Sequence, residues 1–151
     1  MENAQDRPVS FFRFEDLRIY NKAVDYCSWL LAHLCEADND KKRNLINTFC
    51  HSSYDIALNI AEGSSRNKSQ FEHYLKIAKT AIRECIVYTA ICNARGLLTE
   101  EDTNKSREYL MEMTRMIGAL IISLQRGNSH RHDDYEENND YTTDEPDEMS
   151  F

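Results

Sequence analysis

Cations recur along this chain at spacings that suit a phosphate backbone. Lys76, Lys79 and Arg83 are separated by three and four residues, so a helix would set them in one row, with Arg66 and Lys68 at its start and in the loop before it. Lys41, Lys42 and Arg43 make a second group, and Arg13, Arg18 and Lys22 a third. Side chains of this kind hold nucleic acid by displacing its counterions, without reading its sequence. The competing reading of the row is a solvated helix face, because Glu72 interrupts it.

Catalytic chemistry finds no comparable set. Glu62 is a carboxylate near a helix C-terminus, where the dipole does not favour it, so it needs a cationic partner, and Arg66 stands four residues on. No histidine or nucleophile lies at a helix-compatible spacing from Glu62. Asn59 is expected to satisfy a backbone or side-chain group across a helix interface, so both residues read as structural. A di-iron bundle would carry Glu-x-x-His, yet the residues three before His33, His51 and His73 are Leu30, Thr48 and Gln70. His130 and His132 are too sparse for a metal site, and neither a Ser/Cys-His-Asp order nor a glycine-rich phosphate loop occurs. The sequence points away from an enzyme and from any cofactor or metal. Cys27, Cys35, Cys50, Cys85 and Cys92 show no CxxC spacing, and four of them fall on apolar helix positions, which reads as reduced, buried thiols.

These side chains need a scaffold, and 151 residues with 41% hydrophobic content suffice for one domain with a core. Only 4 Gly and 2 Pro are present, which favours long uninterrupted helices. The formal charge of -8 is confined to the end of the chain: from Gly127 onward nine acids face the single base Arg131, and the remainder is neutral. Three segments follow: an N-terminal extension at 1–13, a folded unit at 14–126 and a disordered acidic tail at 127–151. The polar N-terminus and the lack of a long apolar run imply a cytoplasmic protein with no membrane association.

Periodicity divides the folded unit into four helices. The first starts near Asp16, carries Leu17, Tyr20, Val24, Cys27, Leu31 and Leu34 on its apolar stripe, and ends near Glu36. The second follows the turn formers Ala37 to Asp40, with Leu45, Phe49, Ser52, Ile56, Asn59 and Gly63 on its seam, and stops at Gly63 in a left-handed cap. Ser52 and Asn59 on that seam require hydrogen-bond partners. Capping boxes at Asn67 to Gln70 or Ser69 to Glu72 open the third, whose face is Phe71, Tyr74, Leu75, Ala78, Ile82, Cys85, Thr89 and Cys92, and which Gly96 closes. Thr99 with Asp102 opens the fourth, whose stripe runs from Leu110 through Met113, Ile117, Leu120 and Ile121 to Leu124. The expected fold is all-α, an antiparallel up-down-up-down four-helix bundle. Tyr26, Trp29, Tyr54, Tyr88 and Tyr109 lie off these stripes or at their rims, as contacts between protomers would.

The run Asn59-Ile60-Ala61-Glu62-Gly63, with Phe71 to Ala78, Glu84, Phe14 to Ala23 and Leu120 to Leu124, resembles the four-helix-bundle proteins encoded in intervening sequences of bacterial 23S rRNA genes. Similar to these is the accessory variability determinant of diversity-generating retroelements. The resemblance spans about Phe11 to Arg126. It implies a homopentameric barrel without enzymatic activity and, by analogy with the retroelement members, a basic surface for RNA and for a reverse transcriptase. The chain has Asp55-Ile56-Ala57 where the family tends to Ser-Ile-Pro, which removes the source of a proline bend. It has Thr80-Ala81 where the family often has Gly-Ser, which removes one hydroxyl partner for Glu84. The function expected is a non-catalytic nucleic-acid-binding ring presenting Arg66, Lys68, Lys76, Lys79 and Arg83, with Lys41 to Arg43, to RNA or DNA. The alternative is a scaffold that binds proteins only.

Overall fold

The computed structural model of the chain describes residues 9–34 and 38–136, with side chains as far as Gly127. A 3-10 turn at Arg13–Asp16 leads into α1 (Arg18–His33), α2 (Asp40–Ser64), α3 (Lys68–Ala94) and α4 (Glu100–Glu136). No strand occurs among the described residues. Cys35 and the tail beyond Glu136 lie outside them, as do residues 1–8 of the expected extension.

Local chemistry explains most helix ends. Asn39 caps α2 by accepting from the Lys42 amide at 3.0 Å, and Asn67 caps α3 by accepting from the Gln70 amide at 2.9 Å, so the first of the two candidate boxes opens that helix. Thr99 Oγ1 accepts from the Asp102 amide at 3.0 Å and starts α4 as expected. At the end of α3, Gly96 takes φ 72°, the Gly96 amide donates to Asn93 O at 3.1 Å, and the Leu97 amide donates to Cys92 O at 2.8 Å. That double bond pattern closes a helix around a left-handed residue and buries Leu97 behind it. The first helix begins at Arg18 rather than near Asp16 because the preceding residues wind as a 3-10 turn. Ser10 folds back onto that turn, bonding Asp16 through its amide and Glu15 through its hydroxyl.

Side-chain pairs between neighbours descend one helix as they ascend the next. Phe49 stacks on Tyr88, Ser52 bonds Glu84 and Gly63 meets Tyr74 between α2 and α3; Thr89 bonds Ser106 and Glu72 bonds Gln125 between α3 and α4; Tyr26 bonds Ser106 and Lys22 pairs with Glu112 between α1 and α4. Consecutive helices are therefore antiparallel, and α4 returns to α1 to close a four-helix bundle. Its core is Ile19, Ala23, Tyr26 and Leu30 with Phe49, Ile56 and Ile60, Leu75, Ala78 and Ile82, and Leu110, Met113 and Ile117. A chain of hydroxyls crosses it: Tyr26 Oη to Ser106 Oγ at 2.8 Å, Ser106 Oγ to Thr89 Oγ1 at 2.8 Å, and Thr89 Oγ1 to Cys85 O at 2.7 Å. Each member is buried and satisfied, which is the condition under which polar groups are tolerated inside.

Four expectations are corrected. Helix α1 buries Ile19, Ala23, Tyr26 and Leu30, one position off the expected stripe, and Val24 and Leu31 are exposed. Both sets have helical spacing; the buried one wins because Tyr26 reaches the hydroxyls of α3 and α4 while small Ala23 lets neighbours approach. Tyr26 is accordingly a core residue and not an interface aromatic, whereas Trp29, Tyr54, Tyr88 and Tyr109 are half-buried. Gly63 is helical, and only Gly96 among the glycines has positive φ; α2 runs one residue further, to Ser64. A Cβ on Gly63 would lie 2.6 Å from Tyr74 Cβ and 2.9 Å from Phe71 Cδ2, so this glycine serves close packing of α3 on α2. Finally, α4 continues to Glu136, past the expected boundary at Arg126, since each residue added to an existing helix gains a hydrogen bond without a new nucleation cost.

Candidate nucleic-acid interface

The expected cations on α3 lie on one helix but in different electrostatic surroundings. Lys76 Nζ is 3.1 Å from Glu72 Oε1, and Gln125 Nε2 of α4 donates to the same oxygen at 2.8 Å. The hydrogen bond from Gln125, then that from Lys76, holds the Glu72 carboxyl below its usual range. Glu72 thus belongs to the α3–α4 contact as well as to the row it interrupts. Arg66 is engaged by Glu62, with Nη2 at 2.5 Å and Nε at 3.1 Å from Oε1, and its guanidinium lies 5.7 Å from the Tyr74 ring centre. The bond from Glu62 raises the pKa of Arg66. Lys68, Lys79 and Arg83 make no ion pair among the described residues, and Lys68 and Arg83 are exposed.

The second group is also divided. Lys42 Nζ lies 3.1 Å from Asp38 Oδ1 and Arg43 Nη1 lies 2.9 Å from Asp40 Oδ1, while Lys41 is exposed and makes no ion pair among the described residues. The two groups do not merge on the chain. Lys41 begins α2 and Arg66 follows its end, which at 1.5 Å per residue separates them by about 37 Å along the axis. Of the third group, Lys22 pairs with Glu112 at 2.8 Å and sits over the Tyr109 ring, while Arg13 and Arg18 are exposed.

Antiparallel pairing of α2 with α3 brings Arg95, which follows α3, beside Lys41 and Lys42. Asn39, Lys41, Lys42, Leu45, Ile91 and Arg95 line a cleft of about 300 Å³. Sequence reasoning missed Arg95; its neighbour Gly96 marked the helix end, but nothing local says which helix start lies opposite. At the same end of the bundle, between α1 and α4, Trp29, His33, Glu101, Asp102, Asn104, Lys105 and Glu108 line a second cleft of about 460 Å³ with acidic walls.

The motif residues have structural partners. Asn59 Nδ2 donates to Asp55 O at 2.7 Å, one turn back on its own helix and not across the bundle as expected, because a residue four positions earlier is within reach without any neighbour. Glu62 holds Arg66, as its spacing suggested. Glu84 accepts from Ser52 Oγ at 3.0 Å, so α2 supplies the hydroxyl, whereas Thr80 Oγ1 donates to Lys76 O of its own helix. The thiols of Cys50, Cys85 and Cys92 are buried and free, and Cys27 donates to Ser53 O at 3.2 Å. Burial pushes each of these thiols up, Cys92 to about 11. No group of three or more His, Cys, Asp or Glu side chains among the described residues is placed to hold a metal ion, and no described helix is long and apolar enough to cross a membrane.

The family model described as 23S rRNA-intervening sequence protein matches residues 15–119. The chain belongs to that family. The match runs from the 3-10 turn into the second half of α4, and so includes the close-packed Gly63, the Ser52–Glu84 contact, the cations of α3 and the Lys41–Arg95 cleft. No curated protein matches the chain.

Proposed function

We propose that this 23S rRNA-intervening sequence family member is a non-catalytic accessory protein of the cytoplasm that binds RNA or DNA as a ring of bundles, five in number, and docks a partner enzyme such as a reverse transcriptase. The observation that carries the reading is the set of cations on α3 and at the α2 start that no carboxylate pairs with among the described residues: Lys41, Lys68, Lys79 and Arg83. The paired cations are available too. Lys76–Glu72 and Arg66–Glu62 are solvent-screened surface pairs, a class that contributes little, so a phosphate can take the place of the carboxylate. Residues 1–126 are neutral in sum, and symmetric repetition of a local patch is what raises its field above that of one copy.

The test is a titration of full-length protein with labelled single-stranded RNA at several salt concentrations. Wild type is expected to lose affinity steeply with salt, and Lys76→Glu/Lys79→Glu/Arg83→Glu to weaken binding across sequences with the melting temperature unchanged. Failure of wild type to retain RNA or DNA at low salt overturns the reading. A protein-only scaffold is the second reading, favoured by the exposed apolar side chains Val24, Leu31, Leu58 and Val87, which are between 41% and 62% exposed.

A further inference from the structure

The cleft between the start of α2 and the end of α3 combines two features that a solvated basic surface lacks. Its rim carries three cations and its floor is apolar. Asp38 and Asp40, the nearest acids of the α2 start, are taken up by Lys42 and Arg43, which leaves Lys41 and Arg95 without an ion pair among the described residues. Both are exposed, and they approach the cleft from different helices. Between them lie Leu45, which is half-buried against the core, and Ile91, which is 40% exposed. A cavity of about 300 Å³ is at the lower end of the range for small-molecule sites and suits a group of nucleotide size.

We infer that this cleft seats one nucleotide unit of a bound strand, with its phosphate between Lys41 and Arg95 and its base against Leu45 and Ile91. Arg95 offers a planar fork to two phosphate oxygens, and Lys41 a point charge to a third. The aliphatic floor accepts any base by its face, so the site contributes affinity and register without sequence preference. The Asn39 side chain is held in place at the rim, its oxygen accepting from the Lys42 amide and its Nδ2 donating to Asp38. This inference rests on the nucleic-acid reading above and assigns that reading a specific contact, at the end of the bundle away from Arg66 and Lys68.

The experiment compares full-length wild type, Lys41→Glu/Arg95→Glu, Ile91→Ser and Lys76→Glu/Lys79→Glu/Arg83→Glu by fluorescence anisotropy with a labelled single-stranded RNA. Light scattering and thermal melting accompany each titration. The cleft double variant is expected to lose at least about tenfold in affinity at low salt and to lower the salt slope by about two. Ile91→Ser is expected to weaken binding several-fold while leaving that slope unchanged, which separates base contact from phosphate contact. Wild-type affinity in the cleft double variant, with loss in the α3 triple variant, overturns the cleft and leaves the nucleic-acid reading standing. No binding by wild type overturns both. A cleft variant that changes the molecular mass assigns the cleft to contact between copies, for which the acidic cleft of a neighbour is the complementary surface, and so overturns it. Saturation by uridine monophosphate without binding of the strand also overturns it.

Discussion

At the level of single residues, two glycines show how one residue type answers to different surroundings. Gly63 is pressed against α3, where an added Cβ would fall 2.6 Å from Tyr74 Cβ, a backbone-proximal atom that cannot swing away. Gly118 lies inside α4 with nothing within 4 Å of the same hypothetical atom. Gly63→Ala is therefore expected to destabilise by about 1–3 kcal/mol through forced separation of α2 and α3. Gly118→Ala should stabilise by about 0.5–1 kcal/mol through helix propensity alone. Urea denaturation distinguishes the two, and equal effects would refute the close-packing account. In the sequence, position 63 carries two signals, a left-handed cap at a helix end and a small residue on a seam that allows close helix approach; the structure bears out the second and not the first. The pairing of Glu62 with Arg66 was legible because both partners lie on one helix, four residues apart.

At the level of elements, the bundle is stitched from inside by hydroxyls and thiols that burial keeps protonated. Tyr26 of α1 and Cys85 and Cys92 of α3 are all pushed up, first by desolvation. A group whose folded value exceeds its unfolded one stabilises fully below the unfolded value and loses that contribution as pH rises toward the folded one. For Cys92 the interval runs from 9.0 to about 11. Urea midpoints are expected to be level between about pH 7 and pH 8 and to fall from pH 9 upward, less steeply in Cys92→Ala; a level response to pH 10 would contradict the burial of these groups. The helix ends that carry a local cap were readable from sequence, since Asn39, Asn67, Thr99 and Gly96 act within a few residues of themselves, whereas the start of α1 and the ends of α2 and α4 were not. The face of α1 was not, since Leu17, Tyr20, Val24, Cys27, Leu31 and Leu34 and the set Ile19, Ala23, Tyr26 and Leu30 have equivalent spacing. The hydroxyls of Ser106 and Thr89, contributed by other helices, break the tie.

For the molecule as a whole, the choice of the Tyr26 face leaves Val24 and Leu31 in solvent, at 41% and 56% exposure. Exposed apolar side chains on a helix whose neighbouring face already fills the core are suited to contact between copies. On the proposed reading of an RNA-binding ring, Val24→Glu/Leu31→Glu is expected to lower the mass measured by light scattering, leave helicity unchanged and weaken RNA binding, because the cation patches would no longer act together. An unaltered mass would remove α1 from the assembly surface. Sequence by itself determined the helical class, the number of helices, the caps that open α3 and α4 and close α3, and the family, because these follow from periodicity, turn chemistry and a short motif, all of which act between near neighbours along the chain. Tertiary packing alone decided which side of α1 is buried, why residue 63 must lack a side chain, that Ser52 serves Glu84, and that Arg95 stands beside Lys41. Each of those depends on which residues of distant segments come to lie opposite one another, and that register is set by the joint packing of all four helices.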